Sequence, residues 1–369
     1  MTRRCIYHVP YPITNDAKAA SAIRPRKMME AFQKNFDEVF VISGYGKERK
    51  QKFKELKKQV TSGVKYDFMY SENSTMPNLL TEKDHIPRHP FLEKEIFRFC
   101  KKNFIPIGLF YRDIYWKFPV YKQSVSFLKR CITIPMYKYD LKIYNKYVDI
   151  LYLPSEIMNQ YVAFKGKVKP LPPGGCGIPM IHSDERLDAK KLELFYVGGI
   201  GGNYDVSKFV KAMKQCEFAN LTLCCHKDQW EKWRSTRMFE MSSNIKVVHE
   251  SGNDLEKYYQ KADGGVLFFE PGGYWKIAMP VKLFEYLSHG LPVLATKDSM
   301  VGNFVASNKV GWDIEYTEKS FVYLLETLYY NRICLSQVRE DVARVAAENT
   351  WDARVMSIYE DLENMKGKL

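Results

Sequence analysis

The sequence predicts an α/β chain of two domains, each built on a doubly wound parallel sheet. Three observations lead there. Short apolar runs bounded by glycine, proline and polar clusters alternate with helical stretches, the sign of parallel strands joined by crossover helices. That alternation stops at LPPGGCGIP (171–179), which holds three prolines and three glycines, and then starts again. The charge breaks at the same place. Residues 1–173 carry 32 Lys and Arg against 16 Asp and Glu, a net +16, and the remainder carries 24 against 27, a net −3. A chain of 369 residues is long enough for two cores, and a basic half beside a near-neutral half implies different partners for the two.

In the first half, strands are expected at Cys5–Val9, Glu38–Ser43, Tyr66–Tyr70, Ile105–Phe110 and Asp149–Leu153. Helices are expected at Arg24–Phe36, Lys47–Val60 and Phe91–Asn103, with two more between Val120 and Lys146. YPITNDAKAASA, 11–22, reads as a polar loop. In the second half, strands are expected at Leu192–Val197, Leu221–Cys225, Ile245–Val248, Gly265–Phe269, Val293–Ala295 and Gly311–Ile314. Helices there are Asp205–Cys216, Gln229–Arg237, Asp254–Lys261, Pro280–His289 and Phe321–Asn331. Two more helices fill 336–365. The domains are therefore expected at 1–173 and 174–335, followed by the helical segment 336–369.

Composition narrows the chemistry. No apolar run approaches the roughly 18–20 residues of a membrane helix, and MTRRCIYHVP is too short and polar for a signal peptide. Eight cysteines without CxxC spacing fit reduced thiols and no zinc site, as in a cytoplasmic protein.

Two stretches carry candidate chemistry. YVGGIGGNYD (196–205) follows a strand and precedes a helix, so its glycines let backbone N–H groups approach a phosphate at the helix mouth. It is neither a G-x-G-x-x-G fingerprint nor a P-loop. ADGGVLFFEPGGYWKIAMPVKLFEYLSHGLPVLAT (262–296) reads as strand, Gly-rich loop, helix, turn, strand. On its helix Leu283, Phe284 and Leu287 share one side, and Lys282, Glu285 and His289 the other. Lys282 and Glu285 at that place suit a phosphate and a vicinal diol such as ribose, although the same spacing also makes an ordinary surface ion pair.

AMPVKLFEYLSHGLPVLAT resembles the nucleotide-sugar signature of GT-B glycosyltransferases, written around P-x-K-x-x-E-Y-x-x-x-G-x-P-V, with Pro280 as its proline. SAIRPRKMMEAF and GLFYRDIYW are similar to stretches of bacterial polysaccharide-type members. The resemblance implies two Rossmann-like domains with parallel sheets facing a central cleft, and 336–369 packing back on the first. It implies an enzyme that moves a hexose-type sugar from a nucleotide-diphosphate sugar, with UDP as the expected nucleotide. The acceptor would be a glycan, glycolipid or glycoprotein in cell-surface polysaccharide assembly. By the resemblance Glu285 holds the donor ribose. Lys282 and the backbone of Gly199, Gly201, Gly202 and Asn203 hold the diphosphate, with Lys227 near it. The 249–252 loop, with Glu250, lies at the base. No metal or other cofactor is implied. Retaining members often carry a second glutamate eight residues before the ribose glutamate, where this chain has Ile277. Glu270 lies fifteen residues before, so the stereochemical course is left unassigned.

On the acceptor side, Asp113 just past the strand IPIGLF is the first candidate base, Glu72 the second and His8 the third. For Asp113 a loop cap or a salt bridge to Arg112 is the competing role. Arg24 and Arg26 are placed to hold an anionic acceptor. Residues 88–147 carry 13 Lys and Arg against four acids, interleaved with 15 aromatics. That composition suits an anionic membrane surface, a partner at the inner face of the membrane; it also fits a core with solvated lysines, and nucleic acid is not expected. Two alternatives are a nucleotide-sugar epimerase of the same fold and a non-enzymatic basic module.

Overall fold

The computed structural model describes residues 2–14, 20–176, 190–236 and 240–366. Of the expected features, part of the polar loop 11–22, the end of the 171–179 boundary and Arg237 lie outside the described residues. The chain divides into two compact units, Met1–Pro172 with Trp351–Leu369, and Pro173–Thr350.

The first unit runs β1 (Arg4–His8), α1 (Ala20–Asn35), β2 (Glu38–Ile42), α2 (Gly46–Thr61), β3 (Phe68–Glu72), α3 (Leu92–Lys102), β4 (Ile107–Phe110), α4 (Pro119–Ser124), α5 (Phe127–Tyr147), β5 (Ile150–Leu153), α6 (Asn159–Val162) and β6 (Lys167–Pro170). Its six strands lie in the order β2-β1-β3-β4-β5-β6, all neighbours parallel. Every residue of β3, β4 and β5 is buried, because helices cover both faces of a parallel sheet. β6 was not foreseen. Its sequence KVKP is an exposed edge, and two lysines and a proline lack the apolar run that marks the inner strands.

The second unit runs β7 (Leu192–Val197), α7 (Ser207–Ala212), β8 (Ala219–Cys224), α8 (Lys227–Ser235), β9 (Ile245–Val248), α9 (Glu256–Lys261), β10 (Gly264–Leu267), α10 (Val281–Ser288), β11 (Val293–Thr296), α11 (Met300–Asn308), β12 (Gly311–Ile314), α12 (Glu318–Tyr330) and α13 (Ile333–Glu348). The sheet order is β12-β11-β10-β7-β8-β9, again parallel throughout. α11 also went unforeseen: glycine and asparagine dilute its helical pattern, and its start is set by the Ser299 hydroxyl accepting from the Gly302 N–H at 2.9 Å.

The segment 336–369 does not travel as one piece. α13 stays with the second unit and packs on α10, while α14 (Trp351–Lys366) belongs to the first and packs on α1. The division has a local cause. On α14, Tyr359 meets Phe36 edge-on at 5.5 Å and Asp352 accepts from Asn35 at 2.9 Å. On α13, Arg339 lies 3.8 Å from the buried carboxylate of Asp263.

Candidate functional site

In the second unit, the C-terminal ends of β7 and β10 carry both Gly-rich turns. After β7 the N–H of Gly198 still bonds Cys224 at 2.9 Å, and the chain then turns back. Gly201 and Tyr204 exchange two backbone bonds of 3.0 Å, with Gly201 and Gly202 at φ +92° and +58°, conformations that disfavour any side chain. Gln229 of α8 accepts from the Ile200 N–H at 3.1 Å, and the Trp275 indole donates to the Asn203 carbonyl at 2.7 Å. Trp275 itself stacks on Phe269 at 4.6 Å. The second Gly-rich loop thus pins the first.

Lys282 crosses this turn. A Cβ at Gly198 would meet its Nζ at 2.0 Å and displace the lysine's end, and the φ of +144° disfavours a side chain there as well. The ammonium sits 4.6 Å from the Tyr204 ring centre, 4.9 Å from Tyr196 and 5.7 Å from Phe269, and donates to the Tyr196 hydroxyl at 3.3 Å. Burial among these rings pushes the amine down to about 7, with Glu285 pulling the other way. One turn on, burial raises the Glu285 carboxyl, opposed by Lys282, His289 and a hydrogen bond from Tyr259. His289 stacks on Tyr259 at 3.8 Å, with Nδ1 2.7 Å from the Glu285 carbonyl and Nε2 3.2 Å from Glu256. The structure therefore lays Lys282 against Gly198, at the head of the turn that runs on through Gly199, Gly201, Gly202 and Asn203, with Glu285 one turn further along α10 and Pro280 extended at its head. A cation lying over a glycine turn beside a helix start suits an anion such as a phosphate.

Two expected members of the group are otherwise engaged. Lys227, the first residue of α8, is exposed and 3.9 Å from Glu231. Glu250 accepts from Tyr258 at 3.0 Å and from Lys257 at 2.8 Å, and Lys257 above all holds its carboxyl below the ordinary range. Sequence reasoning missed Tyr196, Tyr204, Gln229 and Tyr259. Each lies on a different element from α10, so no spacing links them. Ile277 is buried, and Glu270 is exposed.

The acceptor-side candidates separate in the first unit. Glu72 is not a solvent-facing base. It is wholly buried at the end of β3, accepting from Arg112 at 3.0 Å and Tyr70 at 3.0 Å, with Arg24 Nε 3.5 Å away. Nor does Arg24 present itself to an acceptor. It is buried, its guanidinium 3.5 Å from the centre of the Phe110 ring. Both lie inside because the parallel sheet ends under α1, and each charge there is balanced by the other. Arg26 is half-buried and 3.5 Å from Glu30 on the same helix. His8 is a core residue between Ser71, at 2.8 Å, and Glu93, at 3.3 Å; burial, with Arg49 nearby, holds it neutral. Asp113 is half-buried and caps its own turn, accepting from the Tyr115 N–H at 2.9 Å. Burial raises its carboxyl to about 6, against those backbone bonds and Arg112.

A cavity of about 350 Å³ opens at the same C-terminal edge of the first sheet. Tyr11, Tyr45, Ser74, Thr75, Lys83 and Arg112 are among the residues that line it. Its hydroxyls, ring faces and cations are the groups that bind polyhydroxylated ligands. Among the described residues no cluster of three His, Cys, Asp or Glu side chains is arranged to hold a metal.

No protein-family model matches the chain, and no curated protein sequence does. Solved structures do. HepE of Anabaena, determined with UDP-glucose, is 12% identical over 99% of this chain and 100% of its own, at a TM-score of 0.61. A glycosyltransferase of Rickettsia africae is 12% identical over 98% of each chain, at 0.56. The trehalose-6-phosphate synthase OtsA is 10% identical over 98% of this chain and 99% of its own, at 0.61. Two six-stranded parallel sheets in the order seen here, matched over the whole chain, show that this protein has the GT-B fold.

Proposed function

We propose that the chain is a glycosyltransferase that uses a nucleotide-diphosphate sugar, with UDP as the nucleotide and a hexose as the sugar. The observation that carries this reading is Lys282 lying across the Gly198 turn, one helical turn from Glu285. HepE, of the same fold, was solved with UDP-glucose and with UDP and glucose. In this reading the N–H groups of Gly199 to Asn203 and the start of α10 take the diphosphate, and Lys282 takes its charge. Glu285, braced by Tyr259 and His289, accepts from the ribose hydroxyls. Lys227 approaches the phosphates after releasing Glu231, and the 249–252 loop borders the base.

The acceptor is a glycan, glycolipid or glycoprotein of cell-surface polysaccharide assembly, held in the first-unit cavity. Asp113 takes the proton of the attacking hydroxyl as the new C–O bond forms and the bond to the diphosphate breaks. Lys282 and the turn N–H groups hold the charge that the leaving diphosphate gains, with no metal required. The enzyme works in the cytoplasm against the inner face of the membrane, where a lipid-linked acceptor is presented. Thermal shifts with UDP, GDP, dTDP and CMP test the donor reading. UDP is expected to raise the melting temperature most, and no shift with any of the four refutes it. NMR of the product anomer then reads the stereochemical course.

A further inference from the structure

The basic, aromatic segment 88–147 resolves into two populations. Phe97, Trp116, Tyr121, Tyr137, Tyr144 and Tyr147 are core. The apolar side chains left in solvent on α5 concentrate in its first two turns, where Phe127 is 69% exposed, Leu128 76% and Ile132 57%. Leu128, Cys131, Ile132 and Pro135, at i, i+3, i+4 and i+7, form one stripe, all exposed. The same stripe continues as Lys138, Lys142 and Lys146, also exposed and one turn apart. The one acid of α5, Asp140, points inward and accepts from the Asn78 N–H at 2.9 Å. One helix face is thus apolar at its start and a row of mutually repelling lysines along the rest.

We propose that this face of α5 docks on an anionic lipid bilayer. Phe127, Leu128 and Ile132 enter the headgroup boundary, and Lys138, Lys142 and Lys146 lie against lipid phosphates. Charge complementarity selects that occupant. A protein partner would need a matching acidic row ending in an apolar socket, whereas an anionic bilayer offers both environments along any line drawn into its surface. Flanking Lys129 and Arg130 add to the attraction at the apolar end, and Arg130 rests 5.8 Å from the Phe127 ring centre. The inference rests on the membrane-surface part of the reading above and not on its transfer chemistry.

Flotation of the full chain with vesicles tests it. Binding is expected to phosphatidylglycerol–phosphatidylcholine vesicles and not to pure phosphatidylcholine, and to fall as salt rises to about 0.5 M. Leu128→Asn with Ile132→Asn should lower partitioning at least about ten-fold. Changing Lys138, Lys142 and Lys146 together to Gln should lower it about a hundred-fold. Near-UV circular dichroism confirms that both variants keep their fold. Wild-type flotation that the variants do not change overturns the assignment of α5 but leaves a membrane role standing. Equal binding to neutral vesicles overturns the docking of the lysine row on anionic lipid, and capture of single-stranded RNA without any flotation overturns the membrane role as well. Calorimetry with UDP on the same samples keeps the donor reading separate, since it reports only on the second unit.

Discussion

Lys282→Met should stabilise the protein while abolishing nucleotide binding. Burial among Tyr196, Tyr204 and Phe269 lowers the Lys282 amine from 10.5 to about 7. At about 1.36 kcal/mol per pH unit, holding that charge in the folded state costs on the order of 5 kcal/mol below pH 7. The ring faces return on the order of 1 kcal/mol, so the variant should gain about 4 kcal/mol at pH 6. The sign over pH follows from linkage. The folded pKa lies below the unfolded one, so between about 7 and 10 the unfolded chain binds the extra proton. Wild-type stability therefore rises across that window, and the advantage of methionine shrinks towards pH 10. Urea unfolding at pH 6, 8 and 9.5 reads the difference, and calorimetry with UDP reads the lost affinity. A variant less stable than wild type at pH 6, or a gain that does not shrink with pH, refutes the reasoning.

Three further outcomes are expected. Glu285→Ala should weaken UDP binding by about 1–3 kcal/mol through the loss of a charged hydrogen bond, and unchanged affinity by calorimetry removes it from the ribose. Glu72→Ala leaves the buried Arg24 and the half-buried Arg112 without their carboxylate and should cost about 3–5 kcal/mol in urea unfolding; a loss under about 1 kcal/mol contradicts the balanced cluster. Asp113→Asn should abolish transfer and leave UDP affinity intact. In wild type the transfer rate should climb with pH through about 6, as a base raised to that value becomes ionised. A rate flat from pH 5 to 8 excludes it as the base.

Much of this protein is determined by local sequence. Buried parallel strands announce themselves as apolar runs, and eleven of the twelve described strands lie within two residues of their expected ends, since burial on both faces leaves no other composition. The pairing of Lys282 with Glu285 was legible because helical spacing alone puts them on one side of α10. Tertiary structure decided what spacing cannot encode. Glu72 and Arg24 sit 48 residues apart in the chain, and only the closing of α1 over β3 turns two candidate surface charges into a buried pair. Gly198 and Lys282 are 84 positions apart, and only the adjacency of β7 and β10 lays the lysine in the space the glycine leaves. Lys282 was readable as a cation. That three rings from other elements surround it, and so set its charge, belongs to the fold.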